Sequence, residues 1–246
     1  MINQHFDLHN ANELDRQLLC IENLRWLPWI GEKYLALPTG QRVLLIGESH
    51  YYEDKEPGSF EKHQMNGYTR FAIQKTAVER EYRTYKNGAA KIFPNFHRTI
   101  FRNDNFESKL LWENVCYYNF IQEPMNTKKG RPQKNHFEHG WKTFAEVVTI
   151  LQPTYCIFLG NSAANYFPDA FPNDTTILQK VTHDGWVNNS TSRKALLKLT
   201  NGNETKVKFI KHPSKFYSWP KWNEHLQLRY PDLMNWFTSL PKISSS

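Results

Sequence analysis

The sequence predicts an α/β fold, a three-layer α/β/α sandwich with a central, mostly parallel four-stranded sheet. Two observations predict it. Short unbroken runs of apolar and β-branched residues have the length and composition of buried strands. These runs cover 42–47, 114–120, 155–160 and 207–211. Helical patterns separate most of them, and this alternation is typical of a parallel sheet covered on both faces.

The helices are predicted from apolar residues that recur at steps of three and four. They cover 12–36, 68–83, 95–103, 137–151 and 220–238. Asn201-Gly202 lies between two apolar arms, 195–199 and 207–211, and this dipeptide is a strong hairpin signal. We treat 1–246 as a single domain in which 1–40 form an N-terminal helical extension and 241–246 a flexible tail.

Composition narrows the functional classes. The chain has 31 Lys and Arg against 24 Asp and Glu, so it carries a formal charge of +7, which attracts phosphate backbones independently of sequence. Three widely spaced cysteines without a C-x-x-C motif support neither a disulfide framework nor a zinc or iron–sulfur site. No apolar run approaches the ~18 residues of a membrane span, and Met1–Asn12 lack a signal-peptide pattern. We expect a cytoplasmic protein that has no membrane partner.

Polar or glycine-containing corners follow three of the predicted strands. They are Gly47-Glu48-Ser49-His50-Tyr51, Asn119 and His212-Pro213-Ser214. Parallel α/β sheets bind ligands at the carboxyl ends of their strands. The function is therefore expected where these corners meet.

Taken together, these corners resemble motifs of the uracil-DNA glycosylase superfamily. Gly47–Tyr51 stand where the family has a Gly-polar-polar-Pro turn after the first strand, and His212-Pro213-Ser214 match its second motif intact. Asn119 ends an intervening strand, as in the family, and Leu159-Gly160-Asn161-Ser162-Ala163 match a further Leu-Gly-x-x-Ala motif. The order and strand context of the motifs, more than any single one, carry the resemblance.

The resemblance implies a monofunctional DNA glycosylase that acts as a monomer on DNA, with no metal and no cofactor. Such an enzyme flips a uracil, damaged or modified base out of the stack, hydrolyses its N-glycosidic bond and leaves an abasic site. The role would be DNA repair or defence against base-modified viral DNA. In this family His212 would donate a hydrogen bond to the departing base and Asn119 would read its edge. Pro213 and Ser214 would grip backbone phosphates.

The first motif departs from the family pattern. Ser49 replaces the water-activating Asp or Asn of the best-known branches, and His50 replaces the usual Pro. Glu48 matches a Glu of the iron–sulfur branch, although the cluster cysteines are absent, and Tyr51 stands where the uracil-specific branch blocks the thymine methyl group. We take Glu48, helped by His50, as first choice for orienting water and offsetting the sugar cation.

The remaining site predictions concern stacking and DNA contact. Phe60 or Tyr68 would stack on the flipped base, and Phe216 or Tyr217 would fill the gap that it leaves. The predicted catalytic set is Glu48, His212, Ser49 and His50, and the base-binding set is Asn119, Tyr51, Phe60 and Gly47. The DNA-binding set is Pro213, Ser214, Lys215, Phe216, Tyr217, Ser162, Lys128 and Lys129, with Arg131, Lys134 and Lys211 on the same basic rim.

Other interpretations stay open at this point. The loss of the usual activator at Ser49 also fits a non-catalytic nucleic-acid-binding module on the same fold. An esterase-like hydrolase using Ser49 and His212 is a third interpretation, but the motif lacks the second glycine of a nucleophile elbow and has no evident acidic partner. Several site residues also have a structural alternative. Glu48 and Ser49 would be helix caps and Asn119 a strand-end cap. His212 would be a loop histidine without a role, and Phe216 or Tyr217 would pack in the core under the last helix.

Overall fold

The computed structural model describes residues 12–51, 59–79, 91–103, 107–125, 130–167, 177–199, 201–214 and 216–243, without the side chains of 59–60 and 241–243. The described strands are β1 (Trp29–Ile30), β2 (Val43–Gly47), β3 (Val115–Asn119), β4 (Tyr155–Leu159), β5 (Ile177–Val187), β6 (Ser190–Lys198) and β7 (Glu204–Ile210). The described α-helices are α1 (Glu13–Leu19), α2 (Ser59–Gln64), α3 (Tyr68–Ile73), α4 (Ile92–Phe101), α5 (Ser108–Trp112), α6 (Lys134–Leu151), α7 (Trp219–Arg229) and α8 (Pro231–Ile243).

Among these residues the strands form one mixed sheet of seven strands, in the order β1-β3-β2-β4-β7-β6-β5. The central strands β3, β2, β4 and β7 are parallel, whereas β1, β6 and β5 pair antiparallel with their neighbours. The predicted sheet of four strands is therefore too small. Its four apolar runs form the parallel centre, and strands with weaker sequence signals extend the sheet at both edges.

Alternating side chains give the sheet two apolar faces. One face carries Leu44, Tyr118 and Phe158 and packs against α1 and α6. The other carries Leu45 and Ile157, among others, and packs against α3, α4, α5, α7 and α8. Helices thus cover both faces of the sheet, which confirms the α/β class.

Helix boundaries differ most from the sequence expectations in two places. Only α1 of the predicted segment 12–36 is α-helical, because the left-handed Asn23 (φ 67°) and Pro28 interrupt the pattern and β1 follows. The segment 1–40 is thus not a helical extension in its described part, since its Trp26 and Leu27 are buried in the body of the protein. Near the end, Pro231 divides the predicted helix 220–238 into α7 and α8, and α8 continues through Ile243 into the predicted tail.

Other elements agree with the expectations. Helix α6 covers the predicted 137–151 and ends where Gln152 adopts the left-handed conformation (φ 52°) before Pro153. Strands β6 and β7 form the predicted hairpin, and Gly202 supplies a positive φ of 86° in its turn. No helix in the described ranges is long and apolar enough to cross a membrane.

A buried charged cluster lies where β5, β6 and β7 meet α7. Asp184 Oδ1 is 3.2 Å from Lys194 Nζ, and Asp184 Oδ2 is 4.0 Å from His225 Nε2. Lys208 is buried, and its Nζ lies 3.7 Å from the centroid of the Tyr230 ring. Burial lowers the pKa of Lys208 to about 7; Asp184 opposes this shift, and Lys194 adds to it.

This cluster predicts a pH dependence of stability. In the unfolded chain Lys208 recovers its ordinary pKa of 10.5, so between pH 7 and 10.5 the unfolded state binds more protons than the folded state. Below pH 7 the buried Lys208 is charged in both states and lowers the free energy of unfolding by its whole amount. As the pH rises from 7 to 10.5 this penalty disappears, so the free energy of unfolding increases. Urea unfolding of Lys208→Met across this range should show a flatter rise than wild type. Lys198→Met, which removes an exposed lysine from β6, is the control, and an unchanged slope in Lys208→Met would refute the assignment.

Candidate functional site

The candidate site lies at the edge of the sheet where the four parallel strands end. The loop after β2 runs beside the loop after β3 through three backbone hydrogen bonds. Phe120 N donates to Gly47 O at 2.9 Å, Ile121 N to Glu48 O at 2.8 Å, and Met125 N to His50 O at 2.9 Å. Residues 48–50 are therefore held extended and do not begin a helix, so the helix-cap alternative for Glu48 and Ser49 is not supported.

Glu48 and His212 come together at this edge with a basic side chain. Arg131 Nη1 lies 3.7 Å from Glu48 Oε1, and the Glu48 side chain is only 18% exposed. Burial lowers the pKa of His212; Glu48 partly opposes this shift, and Arg131 adds to it. His212 is consequently a neutral imidazole at pH 7. A neutral ring can donate one hydrogen bond without bringing a full charge into the site.

Ser49 has no activating partner. Its Oγ is buried and makes no hydrogen bond to any residue in the described ranges. A nucleophilic serine needs a base within hydrogen-bond reach. The esterase-like interpretation therefore finds no support in this geometry.

His50 is held in place by a hydrogen bond and by contacts with aromatic rings. Its Nε2 is hydrogen-bonded to Thr69 Oγ1 at 2.9 Å, and its ring centroid lies 4.8 Å from that of Trp26 and 4.6 Å from that of Tyr68. Burial lowers the pKa of His50 to about 3, and His63 adds to this shift. His50 stays neutral and anchors the loop to α3, so its contacts leave no sign of the predicted assistance to Glu48. Tyr68 belongs to the same aromatic cluster, and the side chain of Phe60 lies outside the described residues.

Asn119 sits at the end of β3 with its side chain 4% exposed. Its Oδ1 accepts a hydrogen bond from the Tyr117 hydroxyl at 2.8 Å, and its backbone oxygen accepts one from Gln122 Nε2 at 2.5 Å. Gln122 Oε1 in turn accepts from the backbone nitrogen of Trp26 at 2.9 Å. The side-chain amide does not cap the strand end, and its nitrogen has no hydrogen-bond partner among the described residues.

Gly47 is registered opposite Asn119 in the sheet. A Cβ at Gly47 would collide with the Tyr117 hydroxyl and with Asn119 Oδ1. The glycine of the first motif therefore makes room for this polar pair. Tyr51, by contrast, packs against the core on the α1–α6 side and forms a β-bridge with Met125, so the geometry does not bring it beside Asn119.

The loop after β7 is held by a side chain that sequence reasoning missed. Asn95 of α4 donates from Nδ2 to the carbonyl oxygens of Pro213 at 3.0 Å and Ser214 at 3.3 Å. Ser214 N also donates to His212 O at 2.8 Å, which closes a tight turn. These bonds fix the His-Pro-Ser backbone next to the strand end.

The same loop separates the two candidate wedge residues. Phe216 is 92% exposed in a left-handed conformation (φ 58°), and its carbonyl oxygen accepts a hydrogen bond from Lys211 Nζ at 2.8 Å. Tyr217 is buried, and its hydroxyl is hydrogen-bonded to Thr99 Oγ1 at 3.1 Å. Phe216 is therefore the ring available for insertion, whereas Tyr217 belongs to the core.

The other predicted DNA contacts are placed only in part. Ser162 is half-buried and directly precedes a short 3₁₀ helix, Ala163–Tyr166. The side chain of its neighbour Asn161 donates from Nδ2 to Thr191 O at 2.9 Å, which ties the loop after β4 to β6. Lys128, Lys129 and Lys215 lie outside the described residues.

Within the described part of the chain, no group of three or more His, Cys, Asp or Glu side chains is arranged to hold a metal ion. No protein-family model matches the sequence. A comparison with curated proteins likewise gives no significant match.

Proposed function

We propose that the chain is a monofunctional DNA glycosylase with a uracil-DNA glycosylase-like arrangement of its parallel strands. One observation carries the proposal. A carboxylate (Glu48), a neutral imidazole (His212) and a side-chain amide (Asn119) stand at the same edge of the sheet, each just after or at the end of a different parallel strand. Hydrolysis of an N-glycosidic bond can use a carboxylate to orient water, a donor to stabilise the departing base and an amide to hold the base edge.

The proposed reaction breaks the bond between the base nitrogen and C1′ of the deoxyribose. The bonding electrons leave with the base, the oxygen of a water molecule bonds to C1′ and passes a proton to Glu48, and the released base anion takes up a proton from solvent. Glu48 orients that water and offsets the positive charge that develops on the sugar. The His212 N–H stabilises the negative charge on the carbonyl oxygen of the departing base. The Asn119 amide holds the edge of the flipped base.

DNA is the proposed partner of this edge, and the proposed binding species is a monomer. The net charge of +7 favours phosphate binding. Arg131 is 76% exposed beside the site, and Lys211 lies directly before His212. The fixed backbone around Pro213 and Ser214 supplies a rigid surface on which a phosphate can be positioned.

The direct test is a panel of labelled oligonucleotides, single- and double-stranded, each carrying one altered base. Scoring alkali-labile abasic sites should reveal at least one base that the protein removes. Tight DNA binding without cleavage of any base would replace the proposal with a non-catalytic nucleic-acid-binding module. Absence of both binding and cleavage would remove DNA as the partner.

Phe216 provides a prediction on base flipping. Phe216→Ala should slow excision from duplex DNA by about tenfold, because an apolar wedge compensates the unstacking of the flipped base. Excision from single-stranded DNA, which needs less unstacking, should change little. The control is Leu228→Ala, which removes another exposed apolar side chain from α7. Equal losses on both substrates would show that Phe216 does not act as a wedge.

A further inference from the structure

The Asn119 amide is held by a tyrosine two residues earlier on the same strand. The Tyr117 hydroxyl lies 2.8 Å from Asn119 Oδ1, and the Tyr117 side chain is almost fully buried. Its ring packs at 5.8 Å from the Phe93 ring and 5.9 Å from the Trp112 ring, measured between centroids. The ring is therefore fixed by packing, independently of any ligand.

The chemistry of the phenol sets the direction of this hydrogen bond. Burial raises the pKa of Tyr117, so the hydroxyl keeps its proton and is available as a donor. If the Asn119 amide were rotated by half a turn, its nitrogen would donate to the phenol oxygen. The phenolic proton would then need another acceptor in a buried place, and an unsatisfied buried donor is unfavourable. The orientation with Oδ1 toward Tyr117 is consequently preferred.

We infer that Tyr117 is a positioning residue that fixes the Asn119 amide so that it presents its N–H donors to the ligand. The inference rests on the proposed function. The resemblance already implies that this amide reads the base, and the hydrogen bond from Tyr117 adds the residue that sets its orientation. An N–H donor pairs with a carbonyl oxygen and not with an exocyclic amine, which is itself a donor. Loss of the Tyr117 hydroxyl should therefore weaken the preference, which the resemblance implies, for a base with a carbonyl at this edge, such as uracil, over an amine-bearing base such as cytosine.

Gly47 contributes to the same arrangement of Tyr117 and Asn119. Any side chain at this position would displace the Tyr117 hydroxyl and the Asn119 oxygen, because both occupy the space of its missing Cβ. Gly47, Tyr117 and Asn119 thus form one unit on a single face of the sheet. Contacts within β2 and β3 therefore fix the orientation of the Asn119 amide before any substrate binds.

The test is Tyr117→Phe, which keeps the ring and removes the hydroxyl. The ratio of kcat/KM for uracil to that for cytosine, placed at the same position of one oligonucleotide, should fall about three- to tenfold, as expected for loss of one orienting hydrogen bond. The matched control is Tyr118→Phe. Its hydroxyl is buried on the opposite face of the same strand and has no hydrogen-bond partner among the described residues.

A second measurement does not depend on catalysis. The side-chain amide resonances of Asn119 in a ¹⁵N–¹H NMR spectrum should shift in Tyr117→Phe and stay in place in Tyr118→Phe. An unchanged selectivity ratio in an active Tyr117→Phe enzyme would overturn the inference and leave the proposed glycosylase intact. If wild type cleaves no base, the proposed function fails and titration with free uracil and free cytosine decides the inference. A preference for uracil that Tyr117→Phe loses supports it, and a wild type without such a preference overturns it.

Discussion

Replacing His212 with alanine is expected to slow base excision by about 10²–10³, the loss typical of one preorganised donor to a developing negative charge. The pKa of His212 is lowered by burial, so the ring is neutral near pH 7. In the proposed mechanism its N–H is the group that interacts with the departing base. Because His212 contributes no general binding energy in this role, DNA affinity should change little. Single-turnover cleavage rates and equilibrium binding to abasic-site DNA measure the two quantities separately.

The control for this variant is His183→Ala, which removes an exposed histidine from β5. It should cleave at the wild-type rate. Since the folded pKa of His212 lies below the ordinary value of 6.5, the neutral form already predominates at that pH, and the His212 contribution should level off as the pH rises further. A His212→Ala enzyme as fast as wild type would remove this residue from the mechanism.

The central part of the fold could be predicted because its strands have a clear sequence signal. Val43–Gly47 and Tyr155–Leu159 are continuous apolar runs, and strands buried on both faces need that composition. Strand β5 gives no such signal, because most of its side chains are exposed and three irregularities interrupt its pairing with β6. Strand β1 has two residues, which is too short for any periodicity.

The position of a candidate site residue could be predicted only where the residue follows or ends a strand. Glu48, Asn119 and His212 follow or end strands, and the parallel topology brings those ends to one edge. Tyr117 lies inside an apolar run, where a tyrosine is expected to be core, and only the structure shows its hydroxyl on Asn119. Asn95 is 118 residues from Pro213 in the sequence, so nothing local indicates that it holds this loop.

The backbone conformation determines which of two adjacent aromatic side chains is exposed. Phe216 and Tyr217 are adjacent aromatic residues, and composition does not distinguish a wedge from a core ring. The left-handed φ of 58° at Phe216 turns one ring outward, while the hydrogen bond to Thr99 holds the next ring inside. Non-glycine residues adopt this conformation rarely, so the sequence carries no sign of it.

Glu48→Gln is expected to have the largest effect on the reaction, a loss of about 10²–10⁴ in the cleavage rate, as for removal of a positioned general base. Position 49 holds a serine, whose neutral hydroxyl is a poor base near pH 7, and its Oγ has no partner in the described structure that would activate it. Glu48 is the carboxylate of the first motif, and it is mostly buried beside Arg131 and within electrostatic range of His212. Glutamine keeps the size and the hydrogen bonding of this side chain but removes its charge.

The control for Glu48→Gln must separate catalysis from DNA affinity, because loss of any negative charge strengthens phosphate binding. Glu123→Gln removes one exposed carboxylate from the loop after β3, where it pairs with His136 rather than with Arg131. Both variants should bind abasic-site DNA at least as tightly as wild type, and only Glu48→Gln should lose cleavage. Full activity in Glu48→Gln would show that Glu48 has no catalytic role and serves only as an ion-pair partner of Arg131. The water would then have to be oriented by another group, and the case for an enzyme over a binding module would rest on His212 alone.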